Sequence, residues 1–398
     1  MDPVRNPYAP GAGQRPPELA GRDEQLAAFD VTLERVAHGR PERSVVLTGL
    51  RGVGKTVLLN ALRSAAVRAD WGTGKLEARP DQPLRRPLAS ALHMAIRELG
   101  HPQSDEVLGT VKAFAARDTG SGRMRDRWNP GIDVPATTGR ADSGDMEIDL
   151  VELLTDVGGL AADVGRGVAI FVDEMQDLRP EDVSALCAAC HELSQNRLPV
   201  VVVGAGLPHL PAVLSASKSY SERLFRYSRV DRLDREAADR ALVSPGRDED
   251  VEFTPGALAE MYAATAGYPY FVQAYGKAVW DAAAGSPVTL DDVRVAAPEA
   301  EAELGVGFFG SRYERATPAE REYLRAMAET AVAEADTSEP EPDSVPTAAV
   351  AAHLDRKPQS LSPARDALLK KGLIYSGERG RIAFTVPHFG RYLRATTG

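Results

Sequence analysis

Gly49-Leu50-Arg51-Gly52-Val53-Gly54-Lys55-Thr56 lies between the apolar run Ser44-Val45-Val46-Leu47-Thr48 and the stretch KTVLLNALRSAA, whose apolar residues recur at helical spacing. A strand, a bend with the pattern GxxxxGK[ST] and a helix together make a cradle for phosphate. The glycines let backbone N–H groups turn inward around anionic oxygens, and the helix N-terminus adds the positive end of its dipole. The cradle spans Gly49, Leu50, Arg51, Gly52, Val53, Gly54, Lys55, Thr56 and Val57. Lys55 would reach the β and γ phosphates of a nucleoside triphosphate, and the Thr56 hydroxyl would ligate the Mg²⁺ that bridges them. The plainer reading is a glycine-rich turn with no ligand; the agreement of pattern with strand-loop-helix context argues against it.

Two further apolar runs, Val168 to Val172 and Val200 to Val203, are continuous rather than alternating. That is the mark of parallel strands covered by helices on both faces. Helical patterns separate the runs, so an α/β core with a parallel sheet is expected over residues 18–235. The second run ends in Asp173 and Glu174. Acids at the end of a strand are common by chance, but beside a phosphate loop they have roles: Asp173 would hold the metal through its water shell, and Glu174 would polarise the attacking water. Residues 102–146 are polar, glycine-rich and weakly periodic, and read as an insertion or loop within the core. Their basic cluster, Arg117, Arg123, Arg125 and Arg127 with Trp128, could touch a ligand or simply face solvent.

Over residues 236–310 the strand signals fade, and DREAADRALVSPG, TPGALAEMYAATAG and YFVQAYGKAVWDAAAG read as amphipathic helices of a small helical domain. In residues 311–398, Thr317, Pro318 and Glu320 supply a cap, an N1 proline and a capping-box acid. VPTAAVAAHL gives a second helix, and Ser362-Pro363 starts a third that stops at Gly372. Leu373 to Tyr375, the turn SGERG and Arg381 to Val386 then form a hairpin. The acidic, proline-bearing stretch TAVAEADTSEPEPDS reads as a loop in this domain. Helix, helix, helix, strand, wing, strand is the winged-helix order.

With 43% hydrophobic and 26% charged residues in a chain of 398, wholesale disorder and rod-like folds are excluded. No stretch is apolar for long enough to cross a bilayer. Residues 1–17 are rich in Pro, Gly and Arg with no apolar core of a secretory signal, and read as a flexible leader of a cytoplasmic protein. The net charge of -10 has the wrong sign for a protein that coats nucleic acid. Residues 347–398 nevertheless carry nine basic groups against three acidic ones, a basic module on an acidic body. Cys187, Cys190 and His191 spell CxxCH, a haem-attachment pattern. The helical stripe Val183, Leu186, Cys190 and Leu193 favours small buried cysteines instead.

Taken together these motifs resemble the AAA+ class of P-loop ATPases, in its origin-recognition-like (Orc1-like) and archaeal-ATPase branch bordering the STAND signalling ATPases. Pro17-Glu18-Leu19-Ala20-Gly21-Arg22 resembles the segment that precedes the first helix near the adenine, and FVDEMQDL the second phosphate-site motif with an added Gln176. VVVGAGLPHLP followed by YSERLFRY resembles the next strand and the arginine-bearing segment after it, and Gly267-Tyr268-Pro269 the GxP turn of a STAND helical lid. The resemblance implies an AAA+ core with a helical lid and a C-terminal winged helix, with Pro269 near the nucleotide. It also implies Arg223 or Arg226 as an arginine finger acting on a neighbouring subunit, against which stands a structural salt bridge. The chain departs from the pattern where a polar γ-phosphate sensor would follow the fourth strand: Gly204-Ala205-Gly206 stands there. Either Gln176 substitutes or turnover is slow.

The expected function is an ATPase, with ATP and Mg²⁺ as cofactors, whose lid and winged helix rearrange with nucleotide state and act on DNA through residues 347–398 or assemble with further copies. The alternative is a STAND-like switch that holds nucleotide and docks a protein partner through the winged helix. A phosphotransferase of the adenylate-kinase kind finds no acceptor-binding motif beside the loop.

Overall fold

Five strands make one all-parallel sheet in the computed structural model, which describes residues 1–11, 13–80, 82–116, 132–334, 344–376, 380–386 and 388–396. They are β1 (Ser44–Thr48), β2 (Gly72–Glu77), β3 (Val168–Asp173), β4 (Val200–Gly206) and β5 (Phe225–Arg229), in the spatial order β2-β3-β4-β1-β5. The sheet lies in one unit, Arg22–Gly49 with Lys55–Val230; a second unit comprises Met1–Gly21, Leu50–Gly54 and Asp231–Gly398.

β1, β3 and β4 are buried along their whole length, which is why each is an unbroken apolar run. β2 and β5 had no such signal, and each has a local reason. In β2, GTGKLE, the helix Arg85–Leu99 comes so close that a Cβ on Gly74 would lie 2.5 Å from the Ala91 carbonyl oxygen. β5, FRYSR, is an edge strand, and most of it is only half-buried. In a parallel sheet all strand ends of one kind share an edge, so the turns after β1, β3 and β4 emerge together.

Much of the segment 102–146, expected as an insertion or loop, is built into the core. Ser104–Ala116 is a helix that buries Leu108, Val111 and Phe114. Asp149, on the helix Met146–Val164, is fully buried and accepts hydrogen bonds from the Ser143 amide (2.8 Å) and hydroxyl (2.6 Å) and from the Gly144 amide (3.1 Å). Arg85 Nη2 donates to the same carboxylate at 2.8 Å, with its guanidinium over the Phe114 ring. The cluster Arg117, Arg123, Arg125, Arg127 and Trp128 lies outside the described residues.

In the second unit the three expected helices appear as Arg235–Asp248, Pro255–Thr265 and Pro269–Ala282, joined by a fourth, Leu290–Glu303, and a π-helical stretch, Leu304–Gly310. The leader expected to be flexible is instead packed: Tyr8 is buried with its hydroxyl on the Leu242 carbonyl, and the Trp280 indole donates to the Asp2 carbonyl at 2.9 Å. The helix Pro318–Glu334 starts on the expected capping box, with the Thr317 amide on Glu320 Oε2 (2.8 Å) and the Glu320 amide on Thr317 Oγ1 (3.4 Å). Thr347–His353 is the second helix. The third is Pro358–Lys370, earlier than expected because Pro358, not Pro363, holds the N1 position. Three short strands follow the order β6-β8-β7, with β6 (Val345–Pro346), β7 (Ile374–Tyr375) and β8 (Arg381–Phe384), before a last helix, Phe389–Ala395. Most of the acidic stretch and residues 377–379 of the turn, Arg379 among them, fall outside the described residues. No helix among those described is long and apolar enough to cross a membrane.

The buried Arg85–Asp149 pair sets a stability prediction. Burial raises the Asp149 carboxyl, but the hydrogen bonds from Ser143 and Arg85 outweigh it and hold the carboxyl below its ordinary range. A carboxyl depressed by folding contributes stability above its unfolded value, and that contribution disappears as the pH falls through its folded value. Asp149→Ala, which strands the Arg85 cation, is expected to cost about 3–5 kcal/mol in urea denaturation at pH 7. Wild type should lose this advantage over the variant below about pH 4.

Candidate active site

The loop after β1 bends through two glycines in the left-handed region, Gly52 (φ 85°) and Gly54 (φ 93°), where a Cβ would be strained. The helix Lys55–Arg68 begins on its far side. Lys55 is buried, and its Nζ donates to the Gly49 carbonyl at 2.9 Å, so the ammonium is held against the loop it is expected to serve. Thr56, next in the helix, is half-buried. The Gly49 amide donates to the Gly206 carbonyl at 3.2 Å, which joins the exits of β1 and β4.

β3 delivers the two acids to the same edge. Asp173, 6% exposed, is its last residue, and Glu174 follows at φ 49°, a backbone conformation uncommon without glycine. The Glu174 amide donates to Asp173 Oδ1 at 3.0 Å. Gln176 Nε2 donates to Glu174 Oε2 at 2.6 Å, while Gln176 Oε1 accepts from the Leu207 amide at 3.0 Å. Because the Leu207 N–H is a donor, it fixes which end of the amide is oxygen and so aims the NH₂ at Glu174. Gly206 is required by the same arrangement: a Cβ there would lie 2.7 Å from Gln176 Oε1. Of the glycines where a polar sensor was expected, Gly206 leaves room for Gln176 and for Leu210 Cδ2, also 2.7 Å from such a Cβ, while a Cβ on Gly204 would meet Met175 Sδ at 2.4 Å.

Pro269 opens the helix Pro269–Ala282 and is half-buried, but its neighbour Tyr268 is the residue set against the loop. A Cβ on Gly52 would lie 2.7 Å from Tyr268 Cε1, and both residues belong to the second unit. Tyr268 is fully buried, and its hydroxyl donates to the Thr385 carbonyl at 3.4 Å. Of the motif Gly267-Tyr268-Pro269, Tyr268 is thus the member packed against Gly52.

Arg223 and Arg226 are not brought to the loop. Register pairs Arg226 with Val45 and Phe225 with Ser44, at the opposite end of β1 from the turn. Arg223 is exposed, and Arg226 Nη2 donates to Thr32 Oγ1 at 3.4 Å. Among the described residues neither forms an ion pair. Cys187 and Cys190 are buried and free, as the helical stripe implied. Among the described residues no three His, Cys, Asp or Glu side chains cluster as a metal site.

The basic C-terminal residues are mostly engaged. Lys371 pairs with Glu320 at 2.6 Å, Arg356 with Glu322 at 3.1 Å, Arg365 with Asp366 at 3.0 Å and Arg391 with Glu301 at 3.5 Å. Arg381 Nε donates to Ser344 Oγ at 2.8 Å. Lys357 and Lys370 are exposed and have no ion pair among the described residues.

Residues 18–203 match the AAA ATPase domain family, and residues 306–393 match a domain of unknown function (DUF8462). No curated protein sequence matches the chain. Among solved structures, the Walker-type ATPase of Pyrococcus abyssi is similar at 15% identity and TM-score 0.61, over 96% of this chain and 97% of that one. A RuvB variant of Thermotoga maritima (16% identity, TM-score 0.47, 95% and 96% of the two chains) is more distant. So is the Orc1 protein of Aeropyrum pernix in complex with DNA (14%, 0.44, 96% and 94%). The Pyrococcus likeness is one of fold: a parallel five-stranded sheet flanked by helices, with further helical segments towards the C-terminus.

Gly206→Ala tests the arrangement around Gln176. The added methyl would displace the amide from both of its hydrogen bonds, and thermal or urea unfolding is expected to show a loss of about 1–3 kcal/mol.

Proposed function

We propose that this protein binds Mg-ATP at Gly49–Val57 and hydrolyses it, coupling nucleotide state to rearrangement of its helical and C-terminal segments. The observation that carries this reading is the shared sheet edge, where the buried Lys55 stands on the loop carbonyl and Asp173 and Glu174 end β3. In it Lys55 neutralises the β and γ phosphates, Thr56 and Asp173 hold the metal directly or through water, and Glu174 takes up the proton of the attacking water. Mg²⁺ supplies charge neutralisation between the phosphate oxygens. Gln176 orients Glu174, so the missing sensor leaves a positioned base rather than an idle one. Arg223, exposed and remote along the sheet, would act only in trans, on a neighbouring subunit; Arg226, equally remote but half-buried with its Nη2 on Thr32 Oγ1, would do so only by giving up that hydrogen bond.

Calorimetry and phosphate release on wild type and three variants test the reading. Lys55→Ala should weaken Mg-ATP binding at least ~10-fold by removing a charge-assisted contact. Glu174→Gln should bind normally and turn over ~100-fold or more slowly, as loss of a general base predicts. Gln176→Ala should lower kcat with KM within about twofold, the pattern of a contact that matters only in the transition state. Undiminished binding in the lysine variant overturns the site.

The helix and strand order of residues 318–396 supports a winged helix. Its target divides two readings: contact with DNA through residues 347–398, or a signalling switch that docks protein. The pairing of Lys371, Arg356, Arg365 and Arg391 with acids favours the second reading. No retardation of duplex DNA is therefore expected in a mobility assay, even at low salt. Retardation that falls steeply with added salt would restore the DNA reading, since phosphate contacts release counterions.

A further inference from the structure

A cavity of about 450 Å³ opens within the second unit, among the helices Pro255–Thr265, Pro269–Ala282 and Leu290–Glu303, the π-helical stretch and the last helix, Phe389–Ala395. That is the size of a pocket for a small organic molecule. Its walls are aromatic. Phe309 stacks on Tyr392 with centroids 5.2 Å apart and meets the Phe271 ring edge-on at 5.7 Å, while His388 stacks on Phe271 at 6.4 Å. Leu304 and Phe309 reach the cavity from the π-helical turn, a rare conformation that recurs at functional sites.

One polar group in this wall has no partner. Tyr275 is 2% exposed, and among the described residues its hydroxyl makes no hydrogen bond. The charges that bear on it are Glu301, Arg391 and Glu260, and all three line the cavity, so the hydroxyl faces the cavity. Burial first, then Glu301, push the phenol up to about 12, which leaves it protonated at neutral pH. A buried hydroxyl without a partner is costly until something in the space beside it supplies a hydrogen bond. The charges decide the sign of that something. Arg391 is engaged by Glu301 at 3.5 Å, whereas Glu260, exposed at the rim, has no ion pair among the described residues. One carboxylate is thus left over beside rings whose faces attract cations.

We propose that this cavity binds a small protonated amine carried on an apolar body: the body lies against Phe271, Phe309 and Tyr392, and the ammonium donates to Tyr275 Oη and to the Glu260 carboxylate. The site lies wholly within the second unit and owes nothing to the loop 49–57. It draws together the helical segment, through Glu260 and Tyr275, and the last helix, through Tyr392, so an occupant bridges the two. Its residues come from separate stretches of sequence, each of which read only as amphipathic helix or strand.

Ligand-observed NMR titration of the full chain, without nucleotide, tests this with phenethylamine, its uncharged analogue phenethyl alcohol and the anion hydrocinnamate. Wild type is expected to bind the amine at least about fivefold more tightly than the alcohol, and hydrocinnamate most weakly. Glu260→Gln, a change at an exposed position, should bring amine and alcohol to within about twofold of each other. Tyr275→Phe, which keeps the ring, should weaken the amine about threefold or more. Thermal unfolding of both variants checks that they are folded. No binding of the amine by wild type, tighter binding of hydrocinnamate, an undiminished preference in the glutamine variant or an undiminished affinity in the phenylalanine variant each overturns the proposal.

Discussion

The architecture depends on how closely β1 and β4 approach at their carboxyl ends. The Gly49 amide reaches the Gly206 carbonyl there, and this backbone bond continues the β1–β4 pairing into the start of the glycine-bearing loop. With no side chain on either glycine, the gap between strand ends is left for polar groups that arrive from elsewhere. Gln176 fills part of it from the turn after β3, tied at one end to β4 and at the other to Glu174. A parallel sheet supplies such an edge by construction, since every strand points its carboxyl end the same way. The chemistry is then a matter of which turns carry lysine, acids and amide.

Much of this was legible in the residues. The loop announces itself because its glycines, lysine and threonine each answer a separate requirement of phosphate binding, and β1, β3 and β4 do so because burial on both faces admits only apolar side chains. β2 was hidden for the opposite reason: the nearby helix leaves space only for glycine at Gly74, which weakens the strand signal where packing is tightest. β5 was masked by its place at the sheet edge. Ser104–Ala116 was lost inside a polar stretch, although Leu108, Val111 and Phe114 were spaced to face a core.

Side chains joined by long-range packing were the least legible. Gln176 was visible as an addition to a motif, but the reason for it is Gly206, thirty positions along. Tyr268 lay inside a recognised turn, yet which of its residues faces the loop is a question of rotamer and packing. Tyr8 shows the same effect in a segment whose composition suggested freedom: one aromatic ring, seated with its hydroxyl on the Leu242 carbonyl, is enough to bind the chain to a helical surface. Composition reports average tendencies, and a single buried anchor defeats them.

The two cysteines of the chain share one turn of the helix Pro180–Gln195, and burial pushes the Cys187 thiol up to about 11 and the Cys190 thiol to about 12. Only the thiolate reacts with alkylating or oxidising reagents, so at neutral pH both sulfurs are chemically silent while this core is intact. Since the sequence holds no other thiol, modification of either one registers opening of the sheet unit itself, an internal gauge of integrity that requires no added label site.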